Sequence, residues 1–483
     1  MTRLLRDGLA PLTALLLAAT ALALPPRPHG DAGEYLLMLE SFARHGTPDL
    51  RAHDAEALRA RLQDEGLTID EARYLPNYQR GRDGRLYCYH FWGYSLAGWP
   101  VRVLLERLGL PPLRALPLTN ALVFGLALWG VASLPWSGGR RLLFGGLLLF
   151  SPALAFLLWP HPEMFSFALV ALALALEGQG RRPAAALAAA LASLQNPPLV
   201  LLVVLLGGLA LVDAVRRRQV RPLGLALAAG LAAAAAPLFF LWQFGVFNLS
   251  VRPSEAAQSL SLARALDLAV DPDLGLLPHA PLTLIFGVAM ALLALARRRF
   301  VPAALVLLLL PLVAFATTAN SNWNNDTSGP SRYTVWMLPL VAFVLVGASG
   351  EAPGRPLRPL AAWGVALALA TQAAVVLARG GPLARSDFLE HSAAARFVLD
   401  HFPGLYAPTP EVFVERTLGR EDDPASPVIY RDAAGRCRKA WLQARHAREL
   451  LAACGAPEPV QRARLLAAAG GRETKRGWLY VSY

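Results

Sequence analysis

Long stretches of apolar residues, separated by short polar connections, dominate the chain up to about residue 380. The first covers 9–24, and ten more follow a long polar interval. Those ten lie at approximately 118–136, 142–159, 164–178, 183–195, 197–213, 222–245, 281–296, 301–318, 333–349 and 359–378. Runs of this kind are typical of membrane spans, which need about 20 apolar residues each. The pattern therefore predicts an α-helical polytopic membrane protein with about 11 transmembrane helices.

Arginine clusters orient the predicted spans. When the direction of successive spans alternates, five short connections fall on one side, and each contains arginine (140–141, 181–182, 216–221, 297–299 and 355–358). The short connections on the other side, at 160–163, 196 and 319–332, contain Arg332 as their one Lys or Arg. Because cytoplasmic loops are enriched in basic residues, this asymmetry predicts a cytoplasmic N-terminus and an external C-terminus.

Two polar segments lie on the predicted external side. Residues 25–117 form a large first loop, with a charge-rich helical piece at 52–71 and an aromatic stretch at 85–100. The aromatic stretch predicts a helix lying in the membrane interface. Residues 380–483 are polar and end in a strand-like 478–483, which predicts a small α/β domain. The predicted organisation is a transmembrane domain over 1–379 and a soluble domain over 380–483.

Composition narrows the class of protein. The 483 residues are 55% hydrophobic and 17% charged, too apolar for a soluble enzyme of this size. The net charge of +12 is explained by arginines between the spans, so we expect no nucleic-acid partner. Cys437 and Cys454 both lie in the external segment, and a disulfide between them and two free thiols are both compatible with three cysteines, the third being Cys88.

The first candidate for chemistry is the segment 30–35, directly after the first predicted span. It contains Asp31 and Glu34, and its structural interpretation is a capping box for a helix that starts at Ala32. Its functional interpretation is catalytic, with Asp31 as a general base at the membrane surface. The capping box is common, so the position beside the span carries the catalytic hypothesis.

Other candidates lie in the external connections. His161 and Glu163 either begin a helix or bind a divalent metal or the acceptor. Arg332, with Tyr333, either anchors a span or binds a donor phosphate through charge-assisted hydrogen bonds. Arg85 is a further phosphate-binding candidate, with a solvated basic loop as the alternative. The aromatic stretch offers groups that face the acceptor or the lipid: Tyr89, His90 and Trp92.

The order of these motifs resembles the GT-C class of membrane glycosyltransferases. Asp31 after the first span, the stretch 89–96, the turn at 161–163 and the segment 329–333 are similar to its bacterial branch, which includes protein O-mannosyltransferase-like and aminoarabinose-transferase-like enzymes. The resemblance covers roughly residues 1–350. It implies transfer of a sugar from a polyprenyl-phosphate-linked donor to a hydroxyl on a lipid, glycan or protein, with inversion, at the periplasmic face of the bacterial inner membrane. Asp31 would be the catalytic base, and Mg²⁺ or Mn²⁺ is the candidate cofactor.

Two other classes of function are compatible with the chain. A transporter or flippase of lipid-linked saccharides needs polar groups along a path through the bilayer. No Asp, Glu, Lys or Arg lies in the middle of a predicted span, which argues against it. A non-catalytic envelope scaffold would depend on the segment after residue 380 for binding its partner.

Overall fold

Helices form at the apolar runs, and in the computed structural model they account for most of the protein. The structure describes residues 4–69, 75–251, 260–320, 322–323, 329–349, 354–384, 388–421, 426–455, 457, 459, 461 and 478–483.

Seven helical segments in these described ranges are long and apolar enough to cross a membrane: Leu5–Ala23, Pro112–Ala132, Pro197–Arg216, Val220–Phe244, Phe300–Thr317, Arg332–Ser349 and Leu360–Leu383. Each coincides with a predicted run. The other four runs form helices of 12 to 16 residues: Gly138–Leu149, Glu163–Gly178, Arg182–Gln195 and Pro281–Ala296. At 1.5 Å per residue these are shorter than the hydrocarbon layer of about 30 Å. The multi-pass helical architecture agrees with the sequence, and the count of eleven stays a prediction.

Ten α-helices and three strands lie among the described residues up to 244. The helices are α1 (Ala10–Ala23, after a π-helical Leu4–Leu9), α2 (Ala32–His45), α3 (Asp54–Asp64), α4 (Gly93–Arg107), α5 (Ala115–Ala132), α6 (Gly138–Leu149), α7 (Glu163–Gly178), α8 (Arg182–Gln195), α9 (Val200–Arg216) and α10 (Val220–Phe244). The strands are β1 (Asp49–Leu50), β2 (Tyr78–Arg80) and β3 (Leu86–Cys88).

The remaining described elements follow residue 260. The helices are α11 (Leu262–Val270), α12 (Leu276–His279), α13 (Pro281–Ala296), α14 (Phe300–Ala304), α15 (Leu310–Thr317), α16 (Arg332–Val335), α17 (Leu338–Ser349), α18 (Gly354–Ala378), α19 (Ala393–His401), α20 (Pro410–Leu418) and α21 (Ala447–Cys454). The strands are β4 (Val428–Arg431), β5 (Cys437–Gln443) and β6 (Trp478–Ser482).

The helical bundle has a buried centre and an apolar outside. The span Arg332–Ser349 is 89% buried, and α7 is buried along nearly its whole length. The spans Leu5–Ala23 and Val220–Phe244 are each only 22% buried although they are strongly apolar. A helix that is apolar on all sides packs inside a protein or faces lipid. The exposed apolar sides of the outer helices therefore indicate the surface that lies in the bilayer.

The polar segment between α1 and α5 packs around α2. An antiparallel sheet of order β1–β3–β2 lies beside it, with Tyr87 opposite both Asp49 and Gln79. The charge-rich piece predicted at 52–71 forms α3. The single interfacial helix predicted over 85–100 is wrong, because β3 pairs on both sides and the helix starts only at Gly93.

The C-terminal segment contains the second antiparallel sheet, of order β4–β5–β6, with α19, α20 and α21. The predicted final strand is β6. A disulfide joins Cys437 to Cys454, 17 positions apart. Hydrogen bonds tie this segment to the bundle, such as that from the Trp323 amide to Glu411 Oε2 (2.7 Å). A domain boundary near residue 380 stays a prediction.

Candidate functional site

The start of α2 does not use the capping box. Gly30 has φ +49°, in the left-handed region that glycine adopts readily, and Asp31 at the N-cap makes no side-chain capping hydrogen bond. Its Oδ2 instead accepts a hydrogen bond from Arg332 Nη1 at 2.8 Å. Glu34 Oε1 accepts from Asn77 Nδ2 at 2.6 Å rather than reaching back to the Asp31 amide. The capping-box interpretation is therefore wrong, because both carboxylates make stronger contacts elsewhere.

Three basic side chains from distant parts of the chain surround the Asp31 carboxylate. Besides Arg332, His90 Nε2 lies 3.4 Å and His161 Nε2 lies 3.5 Å from Asp31 Oδ2. Arg332 Nη1 also lies 3.5 Å from His161 Nε2. The four residues come from the N-cap of α2, the loop between β3 and α4, the turn before α7 and the start of α16. We call them the Asp31 cluster.

The turn before α7 holds His161 in place. Its ring stacks on Trp159 with centroids 3.9 Å apart, and Trp159 Nε1 donates to the backbone oxygen of His29 (2.9 Å). His161 Nδ1 lies 3.4 Å from Glu163 Oε1, while the other oxygen of Glu163 accepts from the Trp336 indole. This turn therefore links the segment before Asp31 to the helix that begins at Arg332.

Arg332 is positioned as the first residue of α16. The Ser331 hydroxyl caps this helix by accepting from the Tyr333 amide, and the Ser331 amide donates to the Leu274 backbone oxygen (2.8 Å). Its guanidinium is buried and bonds in two directions, to Asp31 through Nη1 and to Asn322 Oδ1 through Nη2 (3.0 Å).

The surroundings give the titratable groups of the cluster distinct pKa values. Burial raises the pKa of the Asp31 carboxyl, but the charges of His90 and Arg332 and the neighbouring His161 lower it well below its usual range. Burial raises the pKa of Glu34; the charge of His90 lowers it and that of Asp31 raises it, and the result lies above its usual value. Burial lowers the pKa of His161, but the contacts with Asp31 and Glu163 raise it above its usual value. Asp31 is thus held ionised at neutral pH.

A cavity of about 570 Å³ opens at this cluster. Its polar wall includes Asp31, His161, Gln195, Asn196, Asn322 and Arg332. Its apolar wall includes Val200, Leu201 and Ala316, which lie at the ends of two candidate spans. Arg332 and Tyr333 begin a third span, so the cavity lies where the apolar helices end. A ligand that is polar at one end and apolar at the other matches these two walls.

Several buried polar atoms near Asp31 have no hydrogen-bond partner among the described residues. They are Glu34 Oε2, His90 Nε2, Trp92 Nε1, His161 Nδ1 and Arg332 Nε. The short distances from the two histidines to carboxylates therefore do not meet hydrogen-bond geometry. Buried polar atoms are normally satisfied by protein, water or ligand. Three of these atoms, on His90, His161 and Arg332, belong to residues that line the cavity, which indicates groups arranged for a polar ligand.

A second group of side chains can hold a cation. One ligand atom each from Asp31, Glu34 and His90 lies within 4.8 Å of the others. Two carboxylates and one imidazole suit a divalent ion such as Mn²⁺, and Mg²⁺ takes the carboxylates. The sequence favoured His161 and Glu163 for this role, which stays a prediction. The geometry instead brings His90 to the two acids.

The structure brings most of the candidate residues together. Seven line the cavity: Asp31, Tyr89, His90, His161, Glu163, Arg332 and Tyr333. Three do not: Glu34, Arg85 and Trp92. Arg85 is half exposed directly before β3, with Nη1 3.6 Å from Asp49 Oδ1. Trp92 packs against Phe239.

Four polar side chains in or behind the wall of this cavity were not predicted from the sequence. Tyr35 stacks on His90 with centroids 5.1 Å apart, and its hydroxyl accepts from Gln195 Nε2 (3.1 Å). Asn322 binds Arg332, and Trp336 binds Glu163. Tyr35 stands four positions after Asp31 and Trp336 four positions after Arg332, so helical spacing was an available signal for both. Gln195 and Asn322 had no signal beyond being polar residues next to a span.

No protein-family model, curated protein or solved structure matches this chain. The resemblance to GT-C enzymes therefore depends on the residues of the chain alone.

Proposed function

We propose that the protein is a glycosyltransferase that moves a sugar from a polyprenyl-phosphate-linked donor to an acceptor hydroxyl at the membrane surface. The observation that carries this proposal is the position of Asp31. It is a buried, ionised carboxylate at the start of a helix that it does not cap, and it faces a cavity where candidate spans end. A structural acid would satisfy the helix amides beside it. This one is directed to an arginine and two histidines.

The two walls of the cavity account for a lipid-linked donor. Its phosphate and sugar would lie against Arg332, Asn322 and the histidines, and its apolar chain would leave past Val200 and Leu201. Arg332 has five N–H donors in a fixed fork, which suits a phosphate, and its Nε has no partner among the described residues. We assign the donor phosphate to Arg332, with Tyr333 beside it.

Donor binding would also activate Asp31. In the structure Arg332 donates directly to Asp31, and its charge contributes to holding the pKa of that carboxyl low. A strongly acidic carboxyl is a weak base. When the donor phosphate draws the guanidinium towards itself, the pKa of Asp31 rises, and the carboxylate becomes a better base once the substrate is present.

The reaction is then a single displacement. The acceptor oxygen attacks the anomeric carbon as its proton passes to Asp31, and the bond from that carbon to the phosphate oxygen breaks. The electron pair stays on the departing polyprenyl phosphate, whose charge Arg332 stabilises. One displacement inverts the anomeric configuration. His161, whose pKa is raised, supplies further positive charge beside the phosphate.

A divalent cation is compatible with this arrangement. The residues that would hold it are Asp31, Glu34 and His90, because Glu34 Oε2 and His90 Nε2 are buried without partners among the described residues. When bound, a divalent ion would supply positive charge for the leaving phosphate. By the orientation of the arginine clusters, we place the site at the periplasmic face of the bacterial inner membrane.

The test is sugar transfer in membranes with a panel of radiolabelled polyprenyl-phospho-sugars, comparing the wild type with Asp31→Asn at equal expression. We expect transfer from at least one donor by the wild type and a fall of about 100-fold or more in the variant, since a positioned base contributes about 10²–10⁴. Asp64→Asn, at an exposed acid at the end of α3, is the matched control and retains transfer.

Transfer that survives Asp31→Asn contradicts the assignment of the base. If no donor reacts while the wild-type protein is folded, the glycosyltransferase proposal fails, and a transport or scaffold function takes its place.

A further inference from the structure

A second polar cavity, of about 530 Å³, lies where the last candidate span meets the C-terminal segment. It is lined by the end of α18 and by the beginning of α19 with its preceding loop. None of its residues belongs to the Asp31 cluster or lines the cavity there. Its size falls within the range of roughly 300–1,000 Å³ that is common for small-molecule sites.

The charged groups in this cavity are mainly cationic. Among the described residues it is lined by Arg379, Arg396 and Arg416 together with His391, and by one carboxylate, that of Glu390. Arg416 forms an ion pair with Asp273 at 3.2 Å, and Arg379 Nη1 donates to His279 Nδ1 at 2.8 Å. These contacts hold two guanidiniums in place at the wall. A fixed set of arginines in a cavity favours an anion with several oxygens, above all a phosphate.

Arg396 is the most accessible of the three arginines. It is exposed, and its side chain makes one hydrogen bond among the described residues, from Nη1 to the His391 backbone oxygen (2.7 Å). A guanidinium has five N–H donors, so this bond orients the group and leaves donors for a ligand. The first turn of α19 also faces the cavity through Ala393, and the positive end of a helix dipole adds to the attraction for an anion.

Large apolar side chains are exposed in the cavity wall, at Leu383, and in or after α19. Leu383, Phe397, Phe402 and Leu405 have 61%, 56%, 51% and 84% of their surface exposed. Leu383 ends the candidate span Leu360–Leu383, and the others lie in or just after α19. A basic group followed by exposed aromatic and aliphatic residues at the end of a span is typical of a surface that sits in the lipid headgroup layer.

We propose that this cavity binds the phosphate headgroup of an anionic membrane lipid, whose acyl chains lie along the exposed apolar residues. The lipid would join α18 to the C-terminal segment on the face where Arg27, just before Asp31, donates to the Ala384 backbone oxygen. The proposal does not depend on the transfer reaction, because it uses none of the residues assigned to it.

The experiment is native mass spectrometry of the full chain in detergent, titrated with phosphatidylglycerol. We compare the wild type with Arg396→Gln, with Arg396→Lys, and with Arg448→Gln as a control at an exposed arginine of α21 outside the cavity. Loss of a charged hydrogen bond weakens binding by about tenfold or more, so we expect that increase in Kd for Arg396→Gln. We expect partial recovery in the lysine variant and no change in the control.

Two results would overturn the proposal. One is an unchanged Kd for Arg396→Gln at an unchanged melting temperature, which would place lipid binding elsewhere. The other is that glycerol 3-phosphate binds the wild type as tightly as phosphatidylglycerol does. The cavity would then serve a soluble phosphate ester instead of a lipid.

Discussion

Two aspartates of this protein have the same kinds of neighbours and different surroundings. Asp31 lies beside Arg332 and two histidines, and Asp273 lies beside Arg416 and His391. The Asp273 side chain is 0% exposed, whereas that of Asp31 is 18% exposed towards a cavity. The types of residue present therefore do not distinguish the two clusters.

The hydrogen bonds distinguish them. Besides its ion pair with Arg416, the Asp273 carboxylate makes three hydrogen bonds. They are with the Ser392 amide at 2.7 Å, the His391 ring at 2.9 Å and the Tyr406 hydroxyl at 3.1 Å. Three of these partners lie in α19, α20 or the loop before α19, so the carboxylate ties the C-terminal segment to the bundle. Arg416 and His391 lower its pKa below the usual value although burial raises it.

Among the described residues, Asp31 accepts one hydrogen bond, from Arg332. Several buried polar atoms around it have no hydrogen-bond partner among those residues. A buried carboxylate with four protein partners, as Asp273 has, stabilises a fold because its charge is compensated. An incompletely satisfied cluster beside a cavity is arranged for something that binds there. The comparison therefore separates a structural ion-pair network from a candidate active site by the number of satisfied contacts.

Replacing the aspartate by asparagine should have different consequences in the two clusters. Asp273→Asn leaves Arg416 and His391 buried without their countercharge, and breaking a buried pair in this way destabilises by about 3–5 kcal/mol. We expect a large fall in melting temperature in detergent. Asp31→Asn should lower the melting temperature less while transfer is lost, because Arg332 keeps its bond to Asn322 and lies in a cavity wall. Equal loss of stability in both variants would show that Asp31 also has a structural role.

Arg332→Gln sharpens the link between the donor site and the base. We expect kcat/KM to fall by about 100-fold, as for loss of a group that stabilises charge in the transition state. The charge of Arg332 also contributes to lowering the pKa of Asp31, so its removal raises that pKa. The acid limb of the pH profile of kcat/KM should therefore move to higher pH. Arg332→Lys keeps the charge and should leave the acid limb at its wild-type pH. An acid limb that does not move in either variant would contradict the effect of Arg332 on the pKa of Asp31.

The smallest expected effect concerns Asp271, next to the structural cluster. Burial, together with the charge of Asp273, raises the pKa of Asp271 to about 7, above its ordinary 3.8. Its contribution to stability is therefore present at acid pH and lost as the pH rises through about 7. Asp271→Asn removes the charge but keeps an oxygen for the amides of Asp273 and Leu274. The variant should melt a few degrees above the wild type at about pH 8.5, by less at about pH 5.5, and at the same temperature only below about pH 4. A difference that does not change with pH would contradict this.

Much of the architecture could be predicted because it depends on local pattern. Each of the seven candidate spans coincides with a predicted apolar run, since the bilayer requires about 20 apolar residues in sequence. The strand at the C-terminus and the helix in the charge-rich part of the first loop follow from alternation and propensity in the same way. The stretch 85–100 was predicted wrongly because its strand depends on Asp49 and Tyr78 as pairing partners, which are distant in sequence.

The candidate site, too, could be predicted only in part from the sequence. The sequence by itself identified Asp31, His161 and Arg332, because charged and titratable groups next to apolar runs are few. Only the tertiary structure decided that they meet, that His90 joins them from the loop after β3, and that Arg85 does not. The reason is physical. Local pattern determines which segments become helices, but the direction of a side chain such as that of Asp31 depends on charges brought close by packing, and those lie up to 301 positions away in the chain.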